Sequence, residues 1–259
     1  QDSLAYTKFE RQNILKVIRG RLVRPPFLHQ GVNGLSIEKL GDRIQALAPA
    51  GQKDLEDWDR IYLAAIASYP QDVAIRLNYA NFLLNFQRGD LAREHCEKAL
   101  ALAAWNPDVH YNIALCKAEA GNMEEARKHL EEALGLQPFD HLARSLLGNF
   151  LTDSQPEEAI RQLKISLAIE PDDKRSLITL AKLYLSAENK TLRNPSMAFD
   201  LALRACVVTH FSNPAPVGML VEAAKASKRQ KEASNAIHEA MKSKGDELKS
   251  KLAGALRSL

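Results

Sequence analysis

Apolar and polar positions along this chain recur at helical spacing, in runs of about a dozen residues separated by short breaks. Residues 121–140, GNMEEARKHLEEALGLQPFD, show the unit. Ala126, Leu130 and Ala133 fall four and three apart, so they share one face of a helix, and charged residues fill the other faces. Gly121 stands where the preceding helix must turn, the usual place for a residue able to adopt a left-handed backbone. Pro138 cannot continue a helix and biases Gln137 away from helical angles, so it closes the run.

The same face recurs on both sides. Ala92, Ala126, Ala159, Ala198 and Ala233 follow one another by 34, 33, 39 and 35 residues. Seven positions after each comes a second small residue: Ala99, Ala133, Ser166, Ala205 and Ala240. Between the members of each pair sit Cys96, Leu130, Leu163, Ala202 and Ile237. A second ladder precedes the first: Tyr79-Ala80, Ile113-Ala114, Leu147-Gly148, Leu180-Ala181 and Leu220-Val221. Its second members step by 34, 34, 33 and 40. A helix pair of this size cannot bury its apolar face alone, whereas stacked pairs can. Helices that cross closely need small side chains at the contact, and this need explains the two ladders.

Period and pattern together resemble the tetratricopeptide repeat. The second unit carries the resemblance in His110, Ile113-Ala114, Lys117, Gly121, Ala126, Leu130, Ala133 and Pro138. The fourth carries it in Leu177, Leu180-Ala181, Tyr184, Ala198, Ala202 and Ala205, and Pro171 closes the third. The chain departs from the pattern in places. No unit has the signature Trp of the first helix. The third is a residue short near 154–156, the fourth carries about five extra residues within ENKTLRNPS (188–196), and Lys228 replaces the glycine of the fifth. The resemblance implies an all-α fold, a right-handed α-solenoid of about five helix-turn-helix repeats with helical caps.

The expected organisation is an N-terminal helix and linker over 1–35, with a break at RPPF (24–27). A degenerate or capping helix pair comes next, over 36–71, with Trp58 where a small residue belongs. The repeat array spans 72–241, and an amphipathic capping helix covers 242–259. Because the chain starts at Gln1 without Met, it is expected to be a piece cut from a longer protein.

Composition changes this picture little. Of the 259 residues, 46% are hydrophobic, 26% charged and only 6% aromatic, which suits tightly packed helices. No run approaches 18 uncharged apolar residues, so no membrane span is expected. Three cysteines at wide spacing argue against a disulfide framework and read as buried thiols. They point toward a reducing, cytoplasmic setting, with the periplasm as the alternative. The net charge of +3 implies no specific nucleic-acid partner. Basic residues do gather between Glu222 and Leu259, nine against five acidic. No aromatic residues interleave with them, so they read as a solvated face.

Catalytic signatures are absent: no nucleophile elbow, zinc-binding H-E-x-x-H, C-x-x-C or phosphate-binding glycine loop occurs. Ser36-x-x-Lys39 lacks companion motifs and reads as a helix N-cap. The seven histidines are scattered without i, i+4 pairing, so neither a metal nor a cofactor is expected. Pairs such as Glu124 with Lys128 are helix-surface ion pairs.

The family resemblance implies that first helices line a concave groove where a protein or peptide segment binds. On that pattern the groove offers Leu77, Asn78 and Asn81 from the first unit, and Tyr111 and Asn112 from the second. The third contributes Asn149, and the fourth Arg175 and Lys182. Asparagine amides can clamp a peptide backbone because each is both donor and acceptor. The family's basic pocket for acidic chaperone C-termini is not expected, because Leu77 replaces its lysine and the third unit lacks its basic pair. The expected function is a non-catalytic interaction scaffold. The alternative is an accessory, substrate-positioning domain of a larger hydrolase or transferase. An incompletely capped stretch over 1–60 predicts a further behaviour, self-association.

Overall fold

A computed structural model describes residues 52–242 and 246–259. The sequence expectations for 1–35 and for the first part of 36–71 lie outside these residues. Twelve α-helices and one short 3-10 turn make up the described residues, which contain no strand. The chain falls into two compact units, one ending at Asn122 and the other starting at Met123.

The first unit contains α1 (Gln52–Ser68), α2 (Val73–Asn85), α3 (Gly89–Leu102) and α4 (Pro107–Glu119). Helix α1 packs on α2, α2 on α3 and α3 on α4, while α2 also touches α4. Contact between alternate helices is what a stack of helix hairpins produces. The core combines the ladder residues Ala80, Ala92, Cys96 and Ala99 with aromatic rings. Tyr62 stacks on Tyr79 at 4.9 Å between ring centres, and Phe82 meets Trp58, Tyr62 and Phe86 at 5.9, 5.6 and 4.8 Å. Trp58, out of pattern in the sequence, is part of this aromatic filling. Asp59 fastens α1 both to α2 and to the turn that leads into α3, accepting hydrogen bonds from the Tyr79 hydroxyl at 2.8 Å and from Arg88 at 2.6 Å.

The second unit contains α5 (Met123–Leu136), α6 (His141–Phe150), α7 (Pro156–Ile169) and α8 (Lys174–Ser186). It continues with α9 (Pro195–Val208), α10 (Pro214–Ser227), α11 (Gln230–Lys242) and α12 (Asp246–Arg257). Each helix packs on the next, and α6, α8 and α10 also contact one another in sequence. The core is mostly small and aliphatic, with Tyr184, Phe199 and Phe211 as its buried rings. Ala126, Leu130, Ala133, Ala159, Leu163, Ala198, Ala202, Ala205, Ala233 and Ile237 are all fully buried. A Cβ built on Gly148 would stand 2.7 Å from the Leu163 side chain and 3.2 Å from the Ala159 carbonyl oxygen, so only glycine permits this approach of α6 to α7. Helix α12 packs on α10 and α11, with Leu252 buried beneath it.

Capping explains where the first helices start. Asp72, Asn106, Asp140, Asp173 and Asn213 each accept a hydrogen bond from a backbone N–H in the first turn of the following helix. These caps step by 34, 34, 33 and 40 residues (106 − 72, 140 − 106, 173 − 140, 213 − 173), matching the second ladder. The turns between hairpin partners have their own signature. Gly121 has a left-handed backbone, φ 81°, and so do Gln87 (φ 58°) and Lys228 (φ 60°) at the corresponding positions. The bend that favours glycine is therefore kept even where the residue is not glycine.

The departures from the pattern are local. Helix α6 has 10 residues against 13 in α2, α4 and α8, which takes up the shortening near 154–156. The long connection of the fourth unit folds into a 3-10 turn, Lys190–Leu192, capped by Asn189. It is held by Arg193 donating to the Ala187 carbonyl and by the Asn194 N–H donating to the Tyr184 carbonyl.

Candidate partner-binding surface

In the first unit, the expected groove residues separate into two sets. Leu77 and Tyr111 are 6% and 3% exposed and belong to the interior, which corrects their assignment as contact residues. The reason lies in the two helices themselves: α2 (VAIRLNYANFLLN) and α4 (PDVHYNIALCKAE) bury residues around much of their circumference rather than along one stripe, the pattern of helices with neighbours on several sides. Asn112 is also buried, at 2%. Its amide donates to the Asp108 carbonyl one turn back at 2.7 Å, while its Oδ1 has no partner among the described residues. Asn78 and Asn81 are half-buried on α2 and keep part of their amides at the surface.

The second unit brings its three candidates to open surface. Asn149 is exposed on α6, and its amide donates to Thr179 Oγ1 on α8 at 3.3 Å. Arg175 and Lys182 are exposed on α8, seven positions apart and therefore on one side of the helix. Beneath this edge lies a buried polar knot. Ser176 donates to Ser166 Oγ at 2.9 Å, and Ser166 donates to the His141 carbonyl at 2.9 Å. Burial pushes the Asp173 carboxyl upward, but Ser176, whose backbone N–H donates to Oδ2 at 3.0 Å, and the nearby Arg175 help to outweigh it and hold the group below its ordinary range. Asp173 is therefore an anion at neutral pH, and it both caps α8 and faces Arg175.

A cleft in the second unit was not foreseen. It opens among α5, α6 and α7 with a volume of about 500 Å³, lined by Arg127, Arg144 and Arg161 with Glu131 and Glu158. Two of its three arginines have acidic partners, and Arg144 is held by neutral ones. Arg161 grips Glu158 through two hydrogen bonds of 2.7 and 2.8 Å, and holds that carboxyl below its ordinary range. Arg144 donates to the Pro138 carbonyl and to Gln162 Oε1, and Arg127 pairs with Glu124. The cleft is thus cross-braced by its own side chains.

Also unforeseen are exposed apolar pairs at the ends of second helices. Leu102 and Trp105 stand out in the first unit, Leu136 and Phe139 in the second, each pair in the same repeat register. Trp105 and Phe139 are 74% and 77% exposed. The signal was available, since both aromatics fall in turns where no core position is expected.

Comparison with known proteins agrees with this architecture. Models of the tetratricopeptide repeat match residues 60–107 and 86–149. The human protein O-mannosyl-transferase TMTC3 is 33% identical over 98 residues, which are 38% of this chain and 11% of that protein. The chain thus matches about a tenth of the length of that relative. Yeast Tom70 shares the fold at a TM-score of 0.62 and 14% identity, over 85% of this chain and 46% of its own. The APC/C Cut9–Hcn1 hetero-tetramer gives a TM-score of 0.61 and 16% identity, over 79% and 40%.

Proposed function

We propose that this chain, whose residues 60–149 match models of the tetratricopeptide repeat, is a protein-interaction scaffold whose second unit holds an extended, acidic segment of a partner protein. One observation carries this reading. Helices α6, α8 and α10 lie side by side, and they present Asn149, Arg175 and Lys182 to solvent above a core of fully buried small residues. A backbone segment laid across them could exchange hydrogen bonds with the Asn149 amide and place carboxylates near two cations. In the first unit, taken by itself, the half-buried Asn78 and Asn81 could make contacts of the same kind, while Leu77, Tyr111 and Asn112 belong to the packing of their helices. Apart from the partner segment, the reading requires no cofactor, metal or catalytic group.

A second reading has an observation of its own. The likeness to a mannosyl-transferase over a small part of that protein suits a repeat segment attached to a larger transferase, where the same surface would position the acceptor polypeptide.

Selection from a random peptide library displays the difference. Under the scaffold reading, recovered peptides are acidic and bind more weakly as salt rises. They lose at least tenfold in affinity to Asn149→Ala/Arg175→Ala/Lys182→Ala while the helical content is unchanged. Undiminished binding to that variant would remove the α6–α8 surface from the proposal.

A further inference from the structure

Two cysteines in the first unit touch, and the scaffold reading uses neither. Cys96 on α3 and Cys116 on α4 place their sulfurs 3.5 Å apart, both buried. They stand among Leu83, Val109 and Ile113 in the unit's hydrophobic cluster, at the packed face where α3 meets α4. Two thiols so placed, twenty positions apart in sequence, are an arrangement that simple filling of a core does not require.

We propose that Cys96 and Cys116 form a reversible disulfide, made by mild oxidation with a peroxide, that fastens α3 to α4. A disulfide needs its sulfurs at about 2.05 Å. The gap to close is smaller than the swing of a sulfur between side-chain rotamers. The chemistry balances in two steps. The Cys116 thiol, deprotonated, attacks one oxygen of hydrogen peroxide; the O–O bond breaks, the sulfur becomes sulfenic acid, and the other oxygen leaves and is protonated to water. Cys96 then attacks the Cys116 sulfur; the S–O bond breaks, the S–S bond forms, and the departing hydroxide takes the Cys96 proton as a second water. Two thiols lose two electrons, and one peroxide gains them.

The surroundings assign the order. Hydrogen bonding to the Cys116 sulfur and burial both push the Cys96 thiol well above its ordinary range, so Cys96 keeps its proton longest and Cys116 is the first nucleophile. A sulfenic acid at Cys116 is met at once by Cys96, which diverts it from further oxidation. Burial admits a molecule as small as peroxide during local opening and shields the finished bond from bulky reductants. Because α4 carries Asn112 one turn before Cys116, the bond also sets how firmly that wall of the first unit is held.

The test uses the full chain. It is treated with limiting hydrogen peroxide, quenched, and its thiols are counted in denaturant beside its intact mass. The expected result is a fall from three thiols to one and the loss of two hydrogens. A peptide pair linking Cys96 to Cys116, return to three thiols with dithiothreitol, and a higher Tm for the oxidised chain complete it. Cys206→Ser should give the same link and leave no thiol. Survival of all three thiols, sulfinic acid at Cys116 without a link, or a link through Cys206 would each overturn the proposal.

Discussion

The two units solve one packing problem with different materials. The first fills its interior with rings: Tyr62, Tyr79 and Phe82 are buried, with Trp58 and Phe86 packed against them. The second has a core mostly of alanine and leucine with one glycine, and its buried rings, Tyr184, Phe199 and Phe211, are not gathered into such a cluster. A ring fills much volume and makes many contacts from one side chain, so each one carries much of the stability. Small residues let backbones approach, so the load is spread and each position is limited by shape instead. The surfaces differ accordingly. In the first unit the packing draws Leu77, Tyr111 and Asn112 inward, whereas in the second the candidate side chains stand clear of a thin, dense core.

The largest effect should come from removing a ring. Phe82→Ala should cost about 3–5 kcal/mol in denaturant unfolding. Hydrogen exchange should then show protection lost over residues 52–122 and kept over 123–259. Uniform loss would mean that the two cores melt as one and that the contrast has no energetic meaning.

The next effect belongs to the second unit. Gly148→Ala should destabilise by about 1–3 kcal/mol, because the new methyl meets Leu163 and the Ala159 carbonyl and this outweighs the gain in helix propensity. A variant as stable as the parent would show that α6 and α7 can separate freely. Around Gly121 nothing crowds a Cβ, so Gly121→Ala tests backbone angle alone.

A smaller effect, of opposite sign, is expected at Lys228. A left-handed backbone costs a residue with a Cβ on the order of 1–2 kcal/mol, of which glycine's extra freedom in the unfolded chain returns part. Lys228→Gly should therefore stabilise by about 1 kcal/mol, read as a rise in denaturation midpoint at constant slope.

The smallest concerns pH in the first unit. Burial, then the charge of Lys98, holds the His95 imidazole below its ordinary 6.5, with Arg76 acting the same way and Glu94 opposing. The unfolded chain consequently takes up the proton first. Stability is complete above about pH 6.5 and falls as pH drops from there toward the folded-state value. His95→Phe keeps a ring against Tyr79 and should flatten this part of the pH profile, measured as Tm from pH 7.5 to 5.5. An unchanged slope would assign the dependence to other groups.

Much of the architecture was legible because close packing leaves few options. Ala126, Ala159 and Gly148 had to be small, and their spacing gave the period and the helix type. The cap ladder from Asp72 to Asn213 was equally legible, since each cap precedes an apolar run, although the ladders of small residues alone had drawn the boundaries. The candidate surface was read less well. Assigning Leu77 and Tyr111 to an open face assumed that one side of each first helix stays bare, whereas α2 and α4 are apolar on more than one side and so have neighbours there. The contact between Cys96 and Cys116 depends on the rotation of two helices about their axes, which spacing along a single chain does not fix.

The residues that cap the first helices have a consequence for how this chain could be lengthened. Each helix start is written beside the helix it begins, so a change in spacing upstream leaves it intact. The connection around Lys190–Leu192 demonstrates this: it adds residues between α8 and α9, yet α9 begins at its own Asn194 cap and α10 at Asn213. Such connections are natural ports, places where a loop, a tag or a recognition sequence can be spliced in while the reading frame of the folds on either side is preserved.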